Sequence, residues 1–204
     1  MFNLILPVLL AQVISYPGVA APQRAVSPQE VMAMFAELPA YEGGKVGQKV
    51  GHWEKRKDAM KIAKGIALAA PSREWAALEA NYAVFESNLV ANARGDRDSK
   101  GIPHAFGTFQ LHSAPIYVAD DPIRAAAYWM NLALKNEALC QMNPPQERLA
   151  ALASGSCSRG RVLVRRREAL AAAVLEALEV KERAAEEAET AAIDRGVETP
   201  LAKE

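Results

Sequence analysis

The 204-residue sequence predicts a mainly α domain with one short β excursion. Three observations carry that expectation. Apolar residues recur at steps of three and four through most of the chain, and Ser and Pro residues suited to helix starts stand ahead of those runs. A polar, glycine-bearing stretch, 93–111, interrupts them and closes on the aromatic run Phe106-Gly107-Thr108-Phe109. Half of the residues are of hydrophobic type, enough for one compact core with appended ends.

The elements follow in order. Phe2 to Ile14 is almost wholly apolar and is followed by the small residues Gly18, Val19, Ala20 and Ala21, so 1–21 is expected to be an export signal. It lacks the usual positive start, because the first Lys or Arg is Arg24. A buried arm and a membrane anchor stay open, although a span wants about 20 apolar residues. Residues 22–70 read as an N-terminal helical region and linker. Within them Ser27-Pro28-Gln29-Glu30 is a helix-start signature, and a helix over 28–38 ends at Pro39. A Gly-rich loop then leads into a helix over 54–69. With Lys45, Lys49, Lys55, Arg56, Lys57, Lys61 and Lys64 this is the most basic stretch, and Trp53 is its one aromatic, which favours a solvated face over a polyanion site.

Ser72 caps the next helix, whose Trp75, Leu78, Tyr82, Phe85 and Leu89 form a core stripe. Asn88, Asn92 and Gly95 supply stop signals, so Glu86 falls in or beside the last turn. Residues 93–111 read as loop with the β excursion, 120–139 and 146–153 as helices broken by Pro144-Pro145, and 162–193 as a long Ala-rich helix with a polar second half. The formal net charge of zero hides a segregation. Over 1–167, 20 Lys/Arg face 14 Asp/Glu, and over 168–204, 4 face 10, so a mildly basic body carries an acidic tail.

Cys140 and Cys157 have 16 residues between them. In an exported chain a disulfide is sterically plausible and worth about 3 kcal/mol in the chain-entropy model; in a reducing compartment they are two buried thiols. His52, His104 and His112 lack ligand-like spacing, so neither a metal nor a cofactor is expected.

Glu86 is the candidate for chemistry. At the negative end of a helix dipole, beside Phe85 and Tyr82, its charged form is disfavoured and its pKa is expected to rise, which suits an acid that protonates a leaving oxygen. Around it stand Glu86-Ser87, then Asn92-Ala93 and Gly95-Asp96, then Ala105-Phe106-Gly107-Thr108-Phe109-Gln110-Leu111. This order and the 24-residue step from Glu86 to Gln110 resemble the lysozyme-like superfamily, in particular soluble lytic transglycosylases, goose-type lysozymes and phage wall-degrading proteins. The resemblance covers roughly 71–167, which it makes an α+β lysozyme-like catalytic domain, with 168–204 an appended helix and tail.

That resemblance implies Glu86 as catalytic acid, Ser87 as the residue that orients it, Gln110 as cleft lining and Phe109 beside the sugar subsites. Phe109 and Phe106 also read as packing residues. Gly107 is expected to let backbone approach a sugar. Asp96 and Asp98 are candidates for a second carboxylate in a two-acid glycosidase. One clear Glu favours the lytic transglycosylase over the hydrolase. The chain departs from the pattern at Leu152, where many relatives carry a tyrosine, and Tyr128 is the expected substitute. The implied partner is peptidoglycan, with no nucleic acid and with transient membrane contact through the N-terminal segment, in a periplasmic, extracellular or virion setting. A non-catalytic sugar-binding or structural component is the alternative.

Overall fold

The computed structural model describes residues 25–42 and 45–194; the apolar segment 1–21 and residues 195–204 lie outside the described residues. Helix α1 (Pro28–Glu37) opens with the expected capping box: the Ser27 hydroxyl accepts from the Glu30 N–H at 3.1 Å and the Glu30 carboxylate accepts from the Ser27 N–H at 2.8 Å. Two orphan donors are satisfied before the first turn closes.

After Pro39 the chain departs from the expected loop. Strands β1 (Pro39–Glu42) and β2 (Lys45–Val50) pair as an antiparallel hairpin. The Trp53 indole N–H donates to the Pro39 carbonyl at 2.9 Å and the Gly51 N–H to the Leu38 carbonyl at 2.9 Å, so the hairpin is held from its base. Gly51 is required there, because a Cβ would run into the Trp53 ring. The basic helix is also shorter than expected. A 3-10 turn (Trp53–Lys55) precedes α2 (Ala59–Ala69), which leaves the seven basic residues spread over a strand, a turn and a helix.

Helix α3 (Arg73–Ser87) has the predicted Ser72 cap, whose hydroxyl accepts from the Trp75 N–H. Its expected one-sided stripe is corrected: every residue from Ala76 to Val84 is buried, while Trp75 and Phe85 are only partly so. Four alanines among those nine explain it. Short side chains let α1, α2 and the terminal helix α7 (Arg161–Asp194) approach from several sides at once, which buries Glu79 and Asn81 along with the apolar residues.

Strands β3 (Arg94–Arg97) and β4 (Pro103–Phe106) form the predicted excursion as a second antiparallel hairpin. A short α4 (Ile116–Ala119), unmarked in the sequence pattern, precedes α5 (Pro122–Leu139), where Asp121 caps by accepting from the Ile123 and Arg124 N–H groups. The expected helix 146–153 divides into a 3-10 turn (Pro145–Glu147) and α6 (Ala150–Ser154), which Gly155 ends with a positive φ. The described part is thus mainly helical with two small hairpins.

Cys140 and Cys157 are bridged, with Cα atoms 5.4 Å apart. The bridge pins the segment carrying α6 to the end of α5, and a loop of that size is worth about 3 kcal/mol against the unfolded chain.

Helix α7 (Arg161–Asp194) buries Val164, Arg167, Ala171, Val174 and Leu178 at steps of three and four. Residues 179–191 are exposed, and ion pairs from Lys181 to Glu37 and from Glu182 to Arg73 fasten the start of that polar half to the body.

Candidate active-site cleft

Helix α3 ends at Asn88, whose positive φ turns the chain and leaves Glu86 in the last turn. Its carboxyl opens on a cleft of about 590 Å³. One wall is Tyr82, Phe85 and Glu86 from α3; facing it are Asp96 of β3 and the turn from Phe109 to Ser113. Trp129, Leu132 and Asn136 of α5, with 151–153, Gly155 and Leu163, complete the lining.

The structure brings Glu86, Asp96, Phe109 and Gln110 to this one cleft. Gln110 has φ +48 and donates from its side-chain amide to the Gly107 carbonyl at 2.9 Å, which leaves its carbonyl oxygen turned toward Gly95. Asp96 has φ +43. Non-glycine residues in this region cost of order 1 kcal/mol or more and persist where the surroundings over-determine them, often at functional sites.

Gly95 earns its identity through Gln110. A Cβ at Gly95 would land on Gln110 Oε1, a flexible side-chain end, with Ala105 Cβ next at 3.7 Å. Gly95→Ala is therefore expected to swing Gln110 out of place while moving the melting temperature by no more than about 2–4 °C, the shift for a loss near 1 kcal/mol in a domain of this size. Thermal melts beside NMR of the Gln110 side-chain amide check the pair of expectations.

Several of the sequence-stated candidates turn out to hold the fold together. Ser87 donates to the Ala83 carbonyl at 3.1 Å and accepts from the Val90 N–H at 3.2 Å, so it secures the helix end on which Glu86 stands rather than touching the acid. Gly107 has φ +72 and packs on the Ala119 carbonyl, leaving no room for a Cβ; its contact is backbone of this chain. Phe109 is 4% exposed and stacks on Trp129 with centroids 5.7 Å apart, so packing dominates. Tyr128 packs against the core outside the lining, and the tyrosine at the cleft is Tyr82. Asp98 accepts from the Lys100 and Ile102 N–H groups and shapes the β3–β4 turn.

The partner of Glu86 is not among the residues named from the sequence. Arg167, 81 positions away and 2% exposed, donates to Glu86 Oε1 at 3.2 Å and to Asn81 Oδ1 at 3.4 Å. Its guanidinium lies 3.2 Å over the Phe85 ring and 4.8 Å from the Tyr82 centroid. The Glu86 side chain is 30% exposed. Burial raises the Glu86 pKa, Arg167 holds it down, the Asp96 charge pushes it up again, and burial wins. The shift predicted for Glu86 is present with burial as its cause. Burial likewise pushes the Arg167 guanidinium down against the attraction of Glu86. For both partners, loss of water outweighs the attraction, as in many buried pairs.

A second acid lies two turns earlier. Glu79 is fully buried, both its carboxyl oxygens lack a hydrogen-bond partner among the described residues, and burial raises its pKa well above the ordinary value. A group that folding holds protonated stabilises the fold below its unfolded pKa, and that contribution is lost as pH rises through the folded value. Glu79→Met is expected to raise stability at neutral pH by about 1–3 kcal/mol. The gain should shrink toward pH 4 in urea titrations run across the pH range.

Among the described residues no group of His, Cys, Asp and Glu could hold a metal ion, and no helix is long and apolar enough to cross a membrane. Comparison with known protein families, curated proteins and solved structures finds no match to this chain.

Proposed function

We propose that the chain cleaves the glycan strands of peptidoglycan at the MurNAc-GlcNAc β-1,4 bond, with Glu86 as general acid and then base. One observation carries the reading: a half-buried carboxyl with a raised pKa, at a helix end, opening on a cleft whose facing wall holds Gln110. An acid that keeps its proton nearer neutrality can give it to the glycosidic oxygen as the bond to the anomeric carbon breaks. The resulting carboxylate is stabilised by the Arg167 guanidinium at 3.2 Å. It then takes a proton from the attacking hydroxyl. When that hydroxyl belongs to the same muramyl residue, no water is consumed and an anhydro end results.

The lytic route is favoured over hydrolysis because Asp96, the second carboxylate in the cleft, is strongly exposed and lies 3.1 Å from His112 Nε2, which occupies it when the imidazole is protonated. The Cys140–Cys157 bridge suits an oxidising, exported setting. A non-catalytic sugar-binding role draws on one observation of its own, the engagement of Glu86 by Arg167. Mass analysis of muropeptides released from purified wall decides among the three. Anhydro ends are expected; reducing ends, heavier by one water, support hydrolysis, and no release at any pH rejects cleavage.

A further inference from the structure

We propose that one edge of α2, the first turn of α5 and the short α4 together form a surface that docks on an anionic lipid membrane. Helix α2 crosses α5 at Gly65, where a Cβ would meet the Pro122 carbonyl at 2.6 Å and Ile123 Cα at 3.0 Å. Helical periodicity sets Lys61, Lys64 and Leu68 along the same outer edge of that crossing. On the α5 side Ile123 and Arg124 are exposed, and the Arg124 guanidinium stands 5.9 Å over the Tyr117 ring of α4. The three helices therefore share a continuous face.

Two properties of that face point to lipid. Its cations form no close ion pair: among the described residues Lys61, Lys64 and Arg124 have no carboxylate within 4.0 Å, and Asp121 is an acid whose charge Lys61 and Arg124 feel from farther off. The nearby acids are engaged, Asp121 in capping α5 and Asp120 with Arg94 at 2.6 Å. Large apolar side chains also protrude between the cations. Leu68 is 75% exposed, Tyr117 67% and Ile116 53%. A polyanion such as nucleic acid or a wall polymer would use the cations but not the aliphatic tips, and one tyrosine offers no stacking track. Lipid phosphates with the acyl boundary beneath them use both.

Docking would also set the orientation of the molecule. On α5 the exposed Ile123, Arg124, Ala127 and Asn131 lie on the opposite side from Trp129, Leu132 and Asn136, which line the cleft. The cleft then looks away from the lipid. On the proposed activity that presents it to the wall, but the docking surface does not depend on that activity.

The test is co-sedimentation of the full chain with phosphatidylcholine vesicles, with and without phosphatidylglycerol, at low and high salt. The apolar N-terminal segment would serve both vesicle types alike, so the phosphatidylglycerol-dependent increment isolates this face. Wild type and Glu86→Gln are expected to show it equally. Lys61→Glu with Lys64→Glu should lower it about thirtyfold or more, and high salt should lower it too. Leu68→Ser with Tyr117→Ser should lower it several-fold. An increment untouched by the lysine changes overturns the proposal. So does one that the lysine changes abolish while the apolar changes leave it intact and duplex DNA is bound equally well, since the face is then a polyanion site. Wall cleavage plays no part in these readouts, so a failed enzymatic reading is recognised separately.

Discussion

Glu86→Gln is expected to lower release of wall fragments by at least about 10²–10⁴-fold, the usual share of a positioned acid or base. Glutamine keeps an oxygen that can accept from Arg167 but has no acidic proton to transfer to the leaving oxygen. The change also strips Arg167, 2% exposed, of the one carboxylate within ion-pair distance among the described residues, so a lowered melting temperature is expected alongside. Activity must therefore be measured at a temperature where both proteins are folded. Wall clearing by folded Glu86→Gln at the wild-type rate would reject the enzymatic reading. In wild type, activity should fall as pH rises through the elevated Glu86 pKa, because the proton donor is then lost.

Arg167→Met is expected to have the largest effect on stability, about 3–5 kcal/mol, the cost of breaking a buried pair from one side. Three losses combine in it: the bond to Glu86, the bond to Asn81, and the stacking on Phe85 and Tyr82. Methionine fills much of the stem volume, which keeps cavity formation from dominating the result. A purely structural role would stop at stability. If Arg167 also tunes the acid, its removal takes away the attraction that holds the Glu86 pKa down, so the alkaline limb of activity should move to higher pH. Arg167→Lys keeps the charge without the planar stack, so it should return that limb toward wild type while recovering only part of the stability. A pH profile unchanged in Arg167→Met would confine the residue to packing.

Local chemistry made much of the fold legible. Ser27 with Glu30, and Ser72, mark helix starts because their side chains satisfy backbone groups a few residues away, and the structure has those bonds. The excursion over 93–111 and the long terminal helix were legible for the same reason. The β1–β2 hairpin was not, since its strands are short and the contact that holds its base comes from Trp53, beyond its own residues. Helix α4, at four residues, is too short for periodicity to register.

The site divides along the same line. Glu86, Asp96, Phe109 and Gln110 were named from their order in the chain and meet in one cleft. Gly107 and Tyr128 were named with them, but what surrounds each depends on α4 and α5, and neither lines it. Arg167 carried a usable signal: it occupies a buried step between Val164 and Ala171 on an otherwise apolar stripe, and three successive arginines masked it. Glu79 gave no such warning, because its burial follows from neighbours on several sides of α3.

By itself, then, the sequence determined the capped starts of α1 and α3, the end of α3 that carries Glu86, and the order of the residues that follow it. Those properties are set by bonds spanning three or four positions. Only the tertiary structure decided that Arg167 reaches Glu86 across 81 positions, that Glu79 is sealed in the core, and that Tyr82 rather than Tyr128 stands at the cleft. Desolvation and ion pairing depend on what packs around a group in space, and no local spacing encodes that.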